Sequence, residues 1–192
     1  MNGSKVIGAN YFNLEDSNST YDSMSPADDA GHGTHTSSTA AGVVVEGASL
    51  YGVGKGTARG GVPSARLAVY KVCWTSGCSD MDMLAGFDQA IADGVNFLSV
   101  SIGGPAQDFL TDPIAIGAFH AMTRGILTSC SAGNGGPRPL SVENVAPWIL
   151  TVAASTTDRQ FITVAAFGDG KNATVSIFQF TCLWLKLDIY HF

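Results

Sequence analysis

The 192-residue sequence has little charge: charged side chains make up 14% of it, with 10 basic residues against 16 acidic ones and a formal net charge of −6. An extended nucleic-acid surface needs clustered lysine and arginine, which this composition does not offer. Apolar runs are short, and none reaches the roughly 18 residues that predict a membrane-spanning helix. The N-terminus lacks the long apolar segment of a signal peptide. We therefore expect no nucleic-acid partner and no membrane partner.

Cysteine is scarce too, and only one pair lies close together in the sequence. Cys73 and Cys78 are separated by four residues, a spacing that could close a small disulfide loop but matches no zinc-binding pattern. Cys130 and Cys182 have no neighbouring cysteine, and we predict that both are buried thiols. The cysteines therefore give no reason to expect a metal site.

Motifs for cofactors and cations are also missing. The glycine-rich residues 52–57 contain a lysine, but the serine or threonine that must follow it in a phosphate-binding loop is absent. Asp28, Asp29, Asp80 and Asp82 are not followed by the twelve-residue pattern of a calcium loop. We predict that these are solvated carboxylates of loops and helix caps, and we expect no cofactor and no metal.

What the sequence does have is a large apolar share, 45%, in a chain of single-domain length. Between residues 66 and 154, apolar stretches with strand character alternate with stretches of helical spacing. Strands that are apolar on both faces and separated by helices predict an α/β fold, a parallel β-sheet flanked by helices. The predicted strands cover 66–72, 95–102, 126–132 and 147–154, and the predicted helices run from Ser79–Asp80 to Asp93–Gly94 and from Asp112–Pro113 to Gly125.

The two ends of the chain show less regular patterns. The last residues are dense in aromatics and predict either a final strand or a tail outside the domain. Upstream of the alternating region we predict an irregular surface arm over 1–30, a helix from Gly33 to about Val45 with Thr34 or Ser37 as its cap, and a loop over 47–64.

Candidate functional residues lie near the start of the chain and at two strand ends. His32 is flanked by glycines and followed by small residues, which suits a proton-transferring imidazole mounted on a buried helix. In parallel sheets, ligands bind beyond the carboxyl ends of the strands. That rule points to residues 99–105 and 131–137, where predicted strands end in glycine-rich sequence.

Six short motifs occur in the order Gly31–Gly42, Gly56–Gly61, Tyr70–Trp74, Ala92–Val95, Ser99–Gly104 and Ser131–Asn134. Together they resemble one known family, the subtilisin-like serine proteases in their plant subtilase (cucumisin-like) form. The resemblance extends over about residues 5 to 170. It implies a subtilisin-like three-layer sandwich that is only partly present, with a partial peptidase domain over 1–171 and an out-of-family tail over 172–192.

The resemblance also assigns roles to particular residues. His32 falls on the family's catalytic histidine, whereas His35, the second histidine of the motif, falls on no catalytic position. Asn134 falls on the asparagine that stabilises the oxyanion. Residues 101–103 match the strand that pairs with an extended peptide and walls the pocket for the residue before the cut; they are Ser101, Ile102 and Gly103.

Two parts of the family's catalytic triad have no match in this sequence. No Asp-Thr/Ser-Gly motif lies upstream of His32, and no Gly-Thr-Ser-Met motif follows Asn134. We therefore expect a chain truncated at both ends that is inactive alone, although its family hydrolyses peptide bonds in extended polypeptides. Two alternatives remain open: a non-catalytic fragment that binds a peptide or a propeptide, and an unstable gene-model fragment.

The resemblance further implies a polypeptide substrate and an extracellular location. The sequence leaves the oligomeric state open.

Overall fold

The computed structural model describes residues 5–15, 20–158 and 162–176 of the chain. The described residues fall into two units, the first within 1–48 and 55–154 and the second within 49–54 and 155–192. The helices are α1 (His32–Ala41), α2 (Asp80–Ala92) and α3 (Pro113–Thr123). The strands are β1 (Val6–Tyr11), β2 (Val45–Leu50), β3 (Val53–Ala58), β4 (Leu67–Lys71), β5 (Cys73–Trp74), β6 (Gly77–Cys78), β7 (Phe97–Val100), β8 (Leu127–Ser131), β9 (Ile149–Val152), β10 (Ile162–Ala166) and β11 (Asn172–Ser176).

Parallel strands dominate the first unit, which confirms the predicted α/β class. The strands β7, β8 and β9 form a three-stranded parallel sheet, and β1 pairs in parallel with β4. In the central sheet Val100 lies opposite Cys130, so that β7 and β8 reach their carboxyl ends at nearly the same level. All four predicted strands of the alternating region are present, each somewhat shorter than expected.

The core of this unit lies between the central sheet and the helices α2 and α3. Phe87 of α2 is buried, and its ring occupies the position that a Cβ atom at Gly117 of α3 would take. The two helices can therefore approach closely, because glycine has no side chain at this contact. The buried cluster consists of Met83, Phe87, Ala90, Leu98, Ile114, Ala118, Ala121, Ile126 and Cys130.

The two helices of the core begin where local sequence predicts. The hydroxyl of Ser79 accepts a hydrogen bond from the backbone N–H of Asp82 at 3.1 Å, and the carboxylate of Asp112 accepts one from Ile114 N–H at 2.8 Å. Pro113 occupies the first turn of α3, where its missing N–H costs nothing. These caps involve residues two or three positions apart, so tertiary contacts are not needed to form them.

The prediction that Asp82 is a solvated carboxylate is wrong. Its side chain is 1% exposed, and its Oδ1 accepts a hydrogen bond from the backbone N–H of Leu14 at 2.7 Å. The segment after β1 therefore runs over the start of α2 and is fixed there by the carboxylate. Sequence spacing alone could not show this contact, since 68 positions separate the two residues.

The prediction of an irregular arm over 1–30 is also partly wrong, because residues 6–11 form β1. Its side chains are all exposed, and the strand is defined by backbone pairing with β4. The predicted loop over 47–64 likewise contains β3 and most of β2. Tyr51 and Gly52 between them have φ values of 49° and 90°, the left-handed pair of a two-residue hairpin turn. Strands that are held by backbone pairing and expose their side chains need no alternation of apolar and polar residues. The sequence therefore contains little hydrophobic pattern that could predict them.

The helix that begins at His32 ends at Ala41 and not near Val45 as predicted. Residues 60–62 lie along its last turn, where Gly61 N–H donates to Thr39 O and Val62 N–H donates to Ala40 O, both at 2.9 Å. The last carbonyls of a helix need partners, and this crossing segment supplies them. The helix therefore ends where another part of the chain caps it.

The cysteines of the first unit follow the sequence analysis. Cys73 and Cys78 form a disulfide across the β5–β6 hairpin, the pairing that their spacing allowed. Cys130 is a buried free thiol, as predicted, and burial raises its pKa to about 12, with a further contribution from the charge of Asp112. The prediction for Cys182 lies outside the described residues.

In the second unit, β10 and β11 form an antiparallel hairpin whose connection includes Gly170 at φ 80°. The predicted final strand or tail after residue 176 lies outside the described residues, and the domain boundary between residues 171 and 172 stays a prediction. Among the helices of the described ranges, none is long and apolar enough to cross a membrane.

Candidate active site

The loop before His32 is organised by one carboxylate. Oδ1 of Asp28 accepts hydrogen bonds from the backbone N–H groups of Ala30 at 3.0 Å and Gly31 at 2.7 Å. Its Oδ2 accepts bonds from both the backbone N–H and the hydroxyl of Thr34, at 2.6 and 2.7 Å. The cap of α1 is therefore Asp28, and the prediction that Thr34 or Ser37 caps the helix is wrong: Thr34 donates to the carboxylate.

These hydrogen bonds stabilise the charged form of the carboxyl group. The Thr34 hydroxyl and backbone N–H, followed by the N–H groups of Gly31 and Ala30, hold the pKa of Asp28 well below its usual range. Gly31 itself has a φ of 88° and supplies no side chain to the cap. The turn that presents His32 thus depends on a left-handed glycine and an ionised aspartate.

A second carboxylate fixes the same loop to β4. Asp29 accepts a hydrogen bond from Lys71 Nζ at 2.7 Å, and Lys71 also donates to the carbonyl of Ala27 at 3.1 Å. The ammonium group lies 4.5 Å from the ring centroid of Trp74. Lys71 first, and then the N–H and hydroxyl of Ser23, lower the pKa of Asp29. The loop is held by charge rather than by apolar contacts.

The structure brings His32 together with one residue of the predicted peptide-binding segment. Ser101, the first residue after β7, has its hydroxyl oxygen 3.4 Å from Nε2 of His32. This contact joins the start of α1 to the carboxyl end of the central sheet. Ile102 and Gly103 continue from there along the same edge.

Asn134 lies three residues after β8, on the strand end next to that of Ser101. Asn134 is exposed, and its side chain makes no hydrogen bond to any described part of the chain. An amide group at this edge is available to a bound molecule. The structure records no direct contact between Asn134 and His32 within the described ranges.

Asn144 is a structural member of the site that the sequence analysis missed. Its Nδ2 donates to the carbonyl of Ile102 at 2.8 Å and to the carbonyl of Ser131 at 2.9 Å, so that it connects the ends of β7 and β8. Its own carbonyl accepts a bond from the hydroxyl of Thr151 at 2.5 Å. The residue is 7% exposed and has a φ of 54°.

No periodic signal could have identified Asn144, because it lies in a segment without helix or strand. The one available hint was that asparagine tolerates left-handed backbone better than most residues.

Glu143, beside Asn144, was missed as well. Its backbone N–H donates to the carbonyl of Ala132 at 3.1 Å, and its carboxyl group lies against the Cα atoms of Gly103 and Gly133. A Cβ atom at either glycine would overlap the carboxyl group where it now lies, so a side chain at either position would displace it.

A cavity of about 250 Å³ opens beside the same strand end. Ile102, Gly103 and Asn144 form part of its wall, and Met83 and Phe109 supply apolar surface. The segment over 101–103 therefore borders an open space large enough for a side chain.

The described residues provide no carboxylate for the ring of His32. Its hydrogen-bonding neighbour among them is Ser101 alone, and the two carboxylates just upstream are engaged with Thr34 and Lys71. Chemically, the arrangement offers an imidazole nitrogen for proton transfer, an unengaged amide donor and an exposed strand end. Acyl-transfer chemistry uses groups of these kinds.

Comparison with known proteins identifies the class. The Subtilase family (peptidase S8) matches residues 6–181, and the chain belongs to that family.

Its relatives are plant proteases. Subtilisin-like protease SBT4.15 of Arabidopsis thaliana is 61% identical over 171 residues, which cover 88% of this chain and 22% of the relative. Subtilisin-like protease SBT1.7 of the same plant is 57% identical over 190 residues, which cover 95% of this chain and 25% of the relative. The chain thus spans about a quarter or less of the length of these curated relatives.

Two solved structures show a more distant likeness. Sphericase matches with a TM-score of 0.45 and 24% identity over 72% of this chain and 42% of its own. The S41 psychrophilic protease matches with a TM-score of 0.42 and 22% identity, over 62% of this chain and 37% of its own.

Proposed function

We propose that this chain carries the proton-transferring histidine, the oxyanion donor and a peptide-binding segment of a serine endopeptidase that hydrolyses extended polypeptides. The observation that supports this most is the 3.4 Å contact between His32 Nε2 and the Ser101 hydroxyl, at the carboxyl edge of a parallel sheet in a member of the subtilase family.

In the proposed mechanism His32 acts through Nε2. It accepts the proton of the attacking serine hydroxyl and later gives that proton to the leaving amine. The mechanism also requires that nucleophile and a carboxylate on the other ring nitrogen, and we assign neither to the described residues. We therefore expect the 192-residue chain by itself to show no peptidase activity.

Asn134 is the proposed oxyanion donor. As the serine attacks, the carbonyl oxygen of the substrate becomes negative, and a donor held ready for that charge lowers the barrier. The exposure of Asn134 and the lack of a hydrogen bond to other described residues support this role, since its N–H groups are not already engaged.

Ser101, Ile102 and Gly103 are the proposed peptide-binding segment. The Ile102 carbonyl is directed toward Asn144 and the β8 end, at 2.8 Å. Backbone groups of successive residues in extended chain face opposite edges, so those of Ser101 and Gly103 are directed away from β8. An extended peptide adding to that free edge would find the main-chain groups it needs.

The site is best tested in a chimaera in which residues 6–171 replace the matching segment of an active plant relative. We expect the chimaera to cleave a chromogenic peptide. His32→Ala should lower kcat by about 10⁶, and Asn134→Ala by about 10²–10³, the losses known for the corresponding groups of subtilisin, a member of the same family.

The matched control is His35→Ala, which removes a second exposed imidazole of the same helix. We expect activity within a few-fold of the unchanged chimaera. Equal losses from His35→Ala and His32→Ala would contradict the proposed roles.

A second candidate function is a non-catalytic module that binds a peptide or a propeptide. The observation that favours it is that Asp28 and Asp29, the carboxylates nearest His32 in sequence, are engaged elsewhere. An inactive chimaera that still binds the peptide would favour this second candidate.

We also propose an extracellular location. The Cys73–Cys78 disulfide supports it, because such bonds persist mainly in oxidising compartments. Recovery of the expressed protein from the medium with Cys73 and Cys78 oxidised would test it.

A further inference from the structure

The carboxyl group of Glu143 lies between the ends of two neighbouring strands. A Cβ atom at Gly103, after β7, would overlap its Oε2, and one at Gly133, after β8, would lie 2.6 Å from the same oxygen. The backbone of Glu143 is fixed by the bond from its N–H to Ala132 O, and the next residue, Asn144, is fixed by two more. The carboxyl group is therefore held in place by its surroundings.

This carboxyl group has no partner in the described part of the chain. It accepts no hydrogen bond there and forms no ion pair. The basic residue nearest to it in sequence, Arg138, donates instead to the carbonyl of Gly135 at 3.3 Å. A partly buried carboxylate without a partner is unfavourable. A bound cation would supply the missing partner.

We propose that Glu143 is a specificity-determining residue that binds a lysine or arginine side chain of the peptide, at the position just before the bond to be cleaved. This inference rests on the proposed function, in which the peptide lies along residues 101–103 with its carbonyl near Asn134. A side chain entering between those two segments meets the Glu143 carboxylate, which lies against Gly103 and Gly133.

The geometry favours a cation over an apolar side chain. The carboxylate oxygen lies beside two glycines, which offer no methyl groups to an apolar partner. The net charge of −6 attracts basic peptides as well, although it acts on every basic residue of a peptide and not on one position.

The test is a binding measurement with the 192-residue chain and two labelled peptides. They are fluorescein-Ala-Ala-Ala-Lys-amide and the same peptide with norleucine in place of lysine, which keeps the aliphatic chain and lacks the ammonium group. Fluorescence anisotropy should show about ten-fold tighter binding of the lysine peptide, the size of one charge-assisted contact. The preference should shrink in high salt.

Glu143→Gln keeps the shape of the side chain and removes its charge. We expect the lysine preference to fall to about two-fold or less, with little change for the norleucine peptide. Glu46→Gln, which makes the same change at an exposed glutamate, should keep the full preference. If Glu143 had a purely structural role, the substitution would instead weaken the binding of both peptides equally.

The outcomes separate this inference from the proposed function. Equal affinity of the unchanged chain for both peptides would overturn the inference and leave peptide binding intact. A lysine preference that survives in a folded Glu143→Gln variant would also overturn it. If neither peptide bound, the proposed function would be overturned together with the inference. Should Glu143→Gln fail to melt cooperatively, the comparison of the two peptides on the unchanged chain still decides.

Discussion

The segment around His32 is held by charged hydrogen bonds, whereas the strands that precede Ser101 and Asn134 rest on buried apolar side chains. In α1 the single buried residue is Ala41, and the loop before it depends on Asp28 and on the Asp29–Lys71 pair. The strands β7 and β8 instead contribute to the cluster that α2 and α3 cover. Two halves of one candidate site are thus stabilised by different forces.

The difference predicts different responses to conditions. Hydrogen bonds to exposed ionised groups weaken when the group is protonated or screened by salt. Apolar burial involves no charge that protonation could remove or salt could screen. Acid and salt should therefore disturb the histidine half first, and truncation of the core should disturb the strand half most.

The largest expected effect is in the apolar half. Phe87→Ala removes a buried ring that packs against Gly117, and we expect a loss of about 3–5 kcal/mol in the free energy of unfolding. Denaturant titration followed by circular dichroism measures it. Leu110→Ala, at a position 85% exposed, should change stability by less than about 0.5 kcal/mol. Similar losses of stability from Phe87→Ala and Leu110→Ala would show that the buried core does not stabilise the strands β7 and β8.

Asn144→Ala should come next. It leaves the carbonyls of Ile102 and Ser131 without their common donor, and we expect a loss of about 2–4 kcal/mol. Asn96→Ala, at an exposed position, is the control and should be nearly neutral. If Asn144→Ala melted like the unchanged chain, water would have replaced the amide and the connection between the strand ends would carry little energy.

The third prediction concerns the polar half and its pH dependence. Asp28→Asn should cost about 0.5–1 kcal/mol at pH 7, because the amide keeps one of the two acceptor oxygens and loses the charge, at a side chain that is exposed. The folded state lowers the pKa of Asp28, so its contribution is complete above the unfolded value of about 4 and is lost as pH falls below it. The difference in the free energy of unfolding between Asp28→Asn and the unchanged chain should therefore decrease at acidic pH. A gap that is constant from pH 7 to pH 2 would contradict this.

The smallest expected effect is that of Lys71→Met, which keeps a long side chain against Trp74 and removes the charge that binds Asp29. We expect faster limited proteolysis within residues 20–31 and little change in the global melting transition. The difference should disappear near 1 M salt, where the Debye length is only about 3 Å. Persistence of the difference at high salt would mean that Lys71 acts through packing.

The parts of the fold that the sequence predicted are those with local causes. The starts of α2 and α3 follow from Ser79 and Asp112, whose side chains reach N–H groups two or three residues away. The parallel strands follow from runs that are apolar on both faces. The exposed strand β1 escaped prediction because backbone pairing with β4 defines it, and its side chains carry no pattern.

The candidate site divides in the same way. A histidine between glycines and an asparagine at a strand end are features that sequence motifs show, and His32 and Asn134 were found from them. Asn144 and Glu143 were not, because Asn144 donates to the backbone of Ile102 and the Glu143 side chain lies against Gly103, each about forty positions away. No regular sequence spacing predicts a contact between residues so far apart in the chain.

By itself the sequence determined the α/β class, the family, the two helix starts and the residue types available for proton transfer and oxyanion binding. Each of these follows from local hydrogen bonding, apolar periodicity or a short motif. Only the tertiary structure decided which carboxylates hold the His32 loop, where α1 ends, and which side chains occupy the gap between the ends of β7 and β8. Those outcomes depend on groups distant in the chain that meet only after the sheet and its helices have packed.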